Sequence, residues 1–283
     1  MSATSRPGVS TRVQDRIASV RPVRSQSNGA IGPAHTRSES LVVLPTYNEC
    51  ENLESVVLAV LKRGHDVLVV DDNSQDGTGE LANQLATRDR RVQVLHRSHK
   101  LGLGSAYVAG FRLALDQGYR FIMEMDADGS HHPEDLSRLI DAARRTNGVS
   151  IGSRYVKGGG ALGWSLKRRA LSKAANFYCR ALLGRRLHDW TSGYRCYSAD
   201  VFRSVGLDTI LSDGFAFQIE LAFECLEANV PVVEVPIHFK ERALGKSKAS
   251  DAEIAEALGC VVRLRTTRGP APQKGDNRDA TQH

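Results

Sequence analysis

The feature that most constrains the fold is a repeated alternation. Five short apolar runs, "LVVLPT" (41–46), "DVLVVDD" (66–72), "VQVLHR" (92–97), "RFIMEMDAD" (120–128) and "GVSIGSR" (148–154), are separated by stretches with helical periodicity. After the first run, Leu53, Val56, Val57, Val60 and Leu61 recur at helical spacing, and Asn48 with Glu51 can form a capping box. "PEDLSRLIDAARR" opens with a proline suited to a first helical turn. Short strands alternating with helices make βαβ units and therefore a parallel sheet. The expected fold is α/β, with a mostly parallel central sheet flanked by helices, as a single domain over 40–265.

The second half is less regular. "LSKAANFYCRALLG" (171–184), "FAFQIELAFECLEAN" (215–229) and "DAEIAEALGCVVRLR" (251–265) read as helices, and "VPVVEVPIHF" (230–239) as a strand returning to the sheet. Residues 1–39 are rich in Ser, Arg, Gly and Pro and read as a disordered basic arm, or secondarily as an organelle transit peptide. Residues 266–283 read as a disordered tail. The five cysteines form no CxxC or CxxH pair, and no secretory leader is apparent, so reduced thiols in a cytoplasmic protein are expected. No apolar run reaches the roughly 20 residues that span a bilayer. The formal net charge of +6 favours an anionic partner. Nucleic acid is disfavoured, because no basic stripe is interleaved with aromatic residues.

Ligands on parallel sheets bind beyond the carboxyl ends of the strands. "PTYNE", "DDNS", "DAD" and "GSR" all fall at such ends, which points to a cleft. Asp126 and Asp128, one residue apart, offer hard oxygen ligands for Mg2+ or Mn2+ carrying a diphosphate; an acidic turn capping the next helix is the alternative. His131 and His132 are adjacent, so both cannot readily reach one tetrahedral zinc ion. Tyr47 offers a ring for stacking and Glu49 an acceptor. Asp71 and Asp72 can accept from a base N–H, while Ser74 and Asp76 fit a turn. "LGLGSAYVAG" lacks the third glycine of a dinucleotide fingerprint and sits after the wrong strand, so close packing is the expected use of its glycines. Arg154, Lys167, Arg168 and Arg169, with a second basic loop holding Arg242, Lys246 and Lys248, can hold the phosphates of two anionic reactants.

Taken together, "VVLPTYNECENL", "VVDDNSQDGT", "LGLGSAYVAGF", "MDADGSHHPEDL", "GSRYVKGGG", "WSLKRRALSKAAN", "TSGYRCYS", "GFAFQIEL" and "ERALGKSK" resemble the inverting family-2 glycosyltransferases of the GT-A (nucleotide-diphospho-sugar transferase) type. More narrowly, they look like the group that loads mannose onto polyprenyl (dolichyl-type) monophosphates. The resemblance covers about 40–250. It implies GDP-mannose as donor, polyprenyl phosphate as acceptor and Mg2+ or Mn2+ as cofactor. It places Pro45, Tyr47 and Glu49 in the nucleotide pocket, with Val69 and Asp71 beside the base. Asp126, Ala127 and Asp128 meet the sugar diphosphate, and Asp128 leads the metal ligands, joined by Asp126. Many relatives carry a glutamine ligand where this chain has Ser130. Arg154, Arg168 and Ser172 match acceptor-phosphate positions, so Asp128, Arg154 and Arg168 carry the catalytic roles. Arg242 and Lys248 match a basic loop that closes over the donor.

The acceptor phosphate arrives ionised, so no catalytic base is assigned. Many relatives continue into transmembrane helices. This chain is expected to sit peripherally on the cytoplasmic face of a membrane, or to dock on an integral-membrane partner. The closing helix, with Ile254, Leu258, Val261, Val262 and Leu264, is a candidate interfacial surface. UDP-glucose as donor, and a catalytically silent nucleotide-binding scaffold, are the alternatives.

Overall fold

A computed structural model describes residues 37–241 and 251–268, together with the pair Arg21–Pro22. The five apolar runs form strands and the periodic stretches between them helices: β1 (Ser40–Thr46), α1 (Cys50–Lys62), β2 (Asp66–Asp71), α2 (Thr78–Arg88), β3 (Val92–His96), α3 (Leu103–Asp116), β4 (Phe121–Glu124), α4 (Leu136–Thr146) and β5 (Val149–Ser153). The second half adds β6 (Gly160–Leu162), α5 (Leu166–Leu183), β7 (Arg195–Ser198), α6 (Gly214–Glu227), β8 (Val232–Pro236), β9 (His238–Lys240) and α7 (Asp251–Arg268).

The main sheet runs β3-β2-β1-β4-β7-β5-β8, and Arg21–Pro22 pairs antiparallel along the outer side of β3. The other pairings are parallel except at β7, which is antiparallel to both β4 and β5. The strand runs are apolar throughout because both faces are covered. Leu41, Val43, Leu68 and Val70 pack under α3 and α6, whereas Val42, Leu44, Val67 and Val69 pack under α1, α2 and α4. Pro45 lies inside β1 rather than ending it. The pairing of β1 with β4 stops at Val43, so a proline two residues on removes no bond from that ladder.

Several elements differ from the sequence reading. "VPVVEVPIHF" is divided between two sheets. β8 joins the main sheet beside β5, and β9 pairs in parallel with β6. Buried Ile237 is the joint: its N–H donates to Ser153 O at 3.0 Å and its carbonyl accepts from Gly160 N at 2.9 Å. The Asn48–Glu51 capping box does not form, because Asn48 adopts φ 56° and turns its side chain to another loop. Arg37 and Glu39, counted with the basic arm, are fastened to the body. Arg37 donates to Gln117 and lies over the Tyr119 ring, and Glu39 pairs with Arg120 and Arg144. The remainder of 1–36 and the tail beyond 268 lie outside the described residues.

Candidate active site

The parallel direction of β1, β2, β4 and β5 brings "PTYNE", "DDNS", "DAD" and "GSR" to one sheet edge, as expected. Antiparallel β7 adds what the sequence reading missed. Its first residue, Arg195, pairs with Glu124 and Ile151, so the preceding loop 189–194 arrives at the same edge.

On the nucleotide side, the loops after β1 and β2 are laced together. Asn48 N donates to Ser74 Oγ (3.0 Å), Gln75 N to Asn48 Oδ1 (2.9 Å), Glu49 N to Thr78 Oγ1 (2.9 Å) and Cys50 N to Asp76 Oδ2 (3.1 Å). Asp76 also accepts from Thr78 N and Oγ1, and although burial opposes it, these bonds hold its carboxyl below the usual range. Asp71 is buried and accepts from Thr46 Oγ1 (3.2 Å) and Ser74 Oγ (2.5 Å). Asp72 is not presented to a base. Its carboxylate is paired with Arg97 and accepts the N–H groups of Leu101 and Gly102 at 3.2 and 3.1 Å, pinning the glycine loop. Val69 is fully buried in the core, and Ala127 nearly so. Pro45, Tyr47 and Glu49 are partly exposed. The ring of Tyr47 carries Lys100 Nζ at 4.2 Å from its centroid, a cation at the cleft that the sequence reading passed over.

β4 ends at Glu124, so Asp126 and Asp128 stand on the turn beyond it and not on the strand. Gly129, at φ 75°, reverses the chain. The Asp126 side chain is 37% exposed, while Asp128 is buried with Oδ1 accepting Ser130 N–H at 3.0 Å. Asp126 N–H donates to His131 Nδ1 at 3.1 Å. The His131 ring is buried, stacked 4.6 Å from Tyr194, with the ring of Phe239 edge-on at 5.3 Å. Burial pushes its pKa down to about 4, so it is a neutral acceptor that shapes the turn. The His132 carbonyl accepts from Tyr194 Oη at 2.8 Å. A shared zinc site for the two histidines is not what this arrangement builds.

Ser130 Oγ is buried with no hydrogen-bond partner among the described residues, an unusual cost for a turn unless a ligand meets it. Two carboxylates and this hydroxyl form a hard oxygen donor set of the kind Mg2+ or Mn2+ takes. Among the described residues no group of three or more His, Cys, Asp and Glu side chains is placed to hold a metal ion. An ion here would therefore draw further ligands from a bound diphosphate, and the residues present fit that role.

The acceptor-side residues do come together. Arg154 follows β5 and is buried against Asp189. Its Nε and Nη2 donate to the carboxylate at 2.7 Å each, its backbone N at 3.0 Å, and Nη2 also to Thr191 Oγ1 at 2.8 Å. Burial opposes both charges, yet the pairing raises the Arg154 pKa and lowers that of Asp189. The charge of Arg154 is thus already matched, which the sequence reading did not foresee. Arg168, near the start of α5, is held more loosely: its Nη1 lies 3.4 Å from Glu241, and both side chains are well exposed. Ser172, one turn on, shares a 2.7 Å hydrogen bond with Tyr155 Oη. Asn176, a further turn on, donates to Thr191 Oγ1 at 3.3 Å, tying α5 to the Arg154–Asp189 pair. Arg242, Lys246 and Lys248 lie outside the described residues.

A family comparison decides the class. Residues 41–206 match the model described as glycosyl transferase family 2, more than half of the chain. The chain belongs to glycosyl transferase family 2. It is a glycosyltransferase, and its helix-flanked, mostly parallel sheet is that of the GT-A fold. Polyprenol monophosphomannose synthase of Mycolicibacterium smegmatis is 49% identical over 262 residues, covering 89% of this chain and 98% of the relative. Undecaprenyl-phosphate mannosyltransferase of Micrococcus luteus is 48% identical over 226 residues, covering 79% and 92%. Among solved structures, glucosyl-3-phosphoglycerate synthase from Mycobacterium tuberculosis in complex with Mn2+, UDP-glucose and phosphoglyceric acid is similar with a TM-score of 0.58 at 20% identity, covering 83% of this chain and 81% of that one. A mannosyltransferase from Pyrobaculum calidifontis in complex with GDP-Man and Mn2+ gives 0.56 at 17% identity, covering 87% and 68%. At such identities the likeness is one of fold.

Proposed function

We propose that this family-2 enzyme transfers mannose from GDP-mannose to a polyprenyl monophosphate, giving polyprenyl-phosphate-mannose and GDP. The observation that supports the reading is a pair of adjoining polar clusters at the carboxyl edge of the sheet. The Asp126–Ala127–Asp128 turn, with the Ser130 hydroxyl that has no partner among the described residues, suits a metal-bound diphosphate. The Arg154, Arg168 and Ser172 cluster suits a monophosphate. They are joined through β9, where Lys240 N donates to Ser130 O at 3.0 Å and Phe239 touches both His131 and Trp164. The two curated relatives, one named for polyprenol monophosphomannose and one for undecaprenyl-phosphate mannosyl transfer, support the same acceptor and sugar.

In this reading Pro45, Tyr47, Glu49 and Asp71 border the nucleotide, and Arg242 and Lys248 close over it. Asp126, Asp128 and Ser130 hold Mg2+ or Mn2+, which when bound supplies positive charge to the departing diphosphate. Arg168 meets the acceptor phosphate, with Ser172 beside it. Arg154 contributes Nη1, the guanidinium nitrogen that neither Asp189 nor Thr191 engages. A phosphate oxygen attacks the anomeric carbon as the bond to the diphosphate breaks on the opposite face, inverting that centre. The nucleophile is already an anion, so positioning and charge stabilisation do the protein's part without a proton acceptor.

Among the described residues no helix is long and apolar enough to cross a membrane. Because its acceptor is a lipid, the reading places the enzyme peripherally, on the cytoplasmic face of a membrane or on an integral-membrane partner. The structure divides the closing helix: Val261 and Leu264 pack into the core, whereas Leu258 and Val262 stay exposed. Beside them, α5 exposes Leu166, Leu171 and Phe177 among Lys167, Arg169 and Lys173, and it carries no acid along its length. That basic, apolar face suits an anionic leaflet.

The test is transfer of radiolabel to polyprenyl phosphate from GDP-mannose and UDP-glucose in parallel, followed by lipid extraction. Labelled lipid from GDP-mannose alone is expected. Product from UDP-glucose instead would overturn the donor, and no lipid product from either would overturn the acceptor.

A further inference from the structure

Trp164 has no part in the chemistry above, yet it stands at the centre of the acceptor site. It lies between β6 and α5, directly before the N-cap Ser165, whose hydroxyl accepts from Arg168 N at 3.3 Å. Its ring is buried, 8% exposed. The Arg168 guanidinium lies 4.5 Å from its centroid and that of Arg154 at 5.3 Å. The ring of Phe239 meets it edge-on at 5.3 Å. One indole thus touches both cations assigned to the acceptor phosphate and, through Phe239 and His131, adjoins the turn that carries Asp126.

We infer that Trp164 is a positioning residue that sets the separation and orientation of Arg168 relative to Arg154, and so the place of the acceptor phosphate. This rests on the reading that these arginines hold that phosphate. Arg154 is fixed independently by Asp189, but Arg168 is not: its other described side-chain partner is the exposed Glu241 at 3.4 Å, a pair of little energetic weight. The indole face is therefore the rigid element against which Arg168 is placed. Indole gives the strongest cation–π face of the aromatic side chains. The chain carries it although Trp164 Nε1 is buried without a hydrogen-bond partner among the described residues, a cost that phenylalanine would avoid. A purely space-filling role would favour the residue without the orphaned N–H.

The test is steady-state kinetics of the full chain with varied polyprenyl phosphate and varied GDP-mannose, for Trp164→Leu, Trp164→Phe, Arg168→Ala and the double variant Trp164→Leu/Arg168→Ala. Circular dichroism and thermal melts establish that each is folded. Trp164→Leu is expected to raise the acceptor KM about tenfold while leaving the donor KM within about twofold, with Trp164→Phe recovering much of the loss. In the double variant the two effects should fall well short of multiplying, because the indole acts through Arg168. Three results would overturn the inference: equal rises in both KM values, fully multiplicative effects, or an unchanged acceptor KM in Trp164→Leu while Arg168→Ala raises it. If Arg168→Ala itself leaves the acceptor KM unchanged, the acceptor-site reading fails, and the inference falls with it. Should Trp164→Leu not fold, Trp164→Phe alone decides: a rise of a few-fold in acceptor KM only supports the inference, and wild-type kinetics overturns it.

Discussion

Replacing Asp189 with asparagine should destabilise the protein more than the loss of any exposed ion pair. The Asp189 side chain is fully buried and that of Arg154 is 8% exposed. Asparagine keeps the volume and one acceptor oxygen but removes the charge, leaving a guanidinium in the interior with its bidentate partner halved. Breaking a buried pair from one side costs about 3–5 kcal/mol. For a chain of this size that lowers Tm by roughly 10 °C. The control is Glu241→Gln, which removes the exposed partner of Arg168 and should cost less than about 1 kcal/mol. Urea denaturation followed by circular dichroism, with calorimetry for Tm, measures both. A cost below about 1 kcal/mol for Asp189→Asn would refute the reasoning. It would mean that water reaches Arg154 freely and that the carboxylate is not its structural counter-ion.

Gly104 approaches α6 so closely that an added Cβ would sit 2.8 Å from Ser212 O and 2.9 Å from Phe217 Cδ2. Gly104→Ala should therefore cost about 1–3 kcal/mol in urea denaturation, and a neutral result would show that the loop shifts freely. At Gly193 the same atom would meet nothing nearer than 3.5 Å, so Gly193→Ala should leave stability unchanged and serves as the contrast. His65 is buried at the start of β2, its Nδ1 2.8 Å from Ser40 Oγ, and burial holds its pKa below the ordinary 6.5. The unfolded chain then takes up the proton first. The contribution of His65 is present above pH 6.5 and is lost as pH falls below it. Stability–pH curves for wild type and His65→Asn should converge on acidification; parallel curves would contradict this.

The half of the fold that sets up the cleft was legible because β1 to β5 are covered on both faces, so their sequences are continuous apolar runs with polar ends. β7 was not legible for the opposite reason. Its four residues include the fully buried Arg195, whose Nε, Nη1 and Nη2 are satisfied by the carbonyls of Ser192, Gln218 and Trp190. A buried guanidinium held by backbone oxygens has no local signature. Asp189 was missed in the same way, since its meaning comes from Arg154, distant in sequence and adjacent only once β7 runs antiparallel between β4 and β5. The strand ends told which loops gather at the site but not which acid of a pair faces it. In "DD" (71–72) the second aspartate is consumed by Arg97 and the glycine loop. On the turn after β4, Asp126 is partly exposed and Asp128 turns inward to cap Ser130.

The central claim is that the turn after β4 and the Arg154–Arg168 cluster form one site that joins a mannosyl donor to a lipid monophosphate. The most direct measurement is the yield of mannolipid from labelled GDP-mannose and polyprenyl phosphate, for wild type and a folded Asp128→Ala variant, with Mg2+ or Mn2+ present and with EDTA. Wild type should form mannolipid only with a divalent ion present, and Asp128→Ala should lose it by roughly a hundredfold or more, the scale of a lost transition-state charge contact. Product at wild-type levels from Asp128→Ala, or undiminished product in EDTA, would contradict the account.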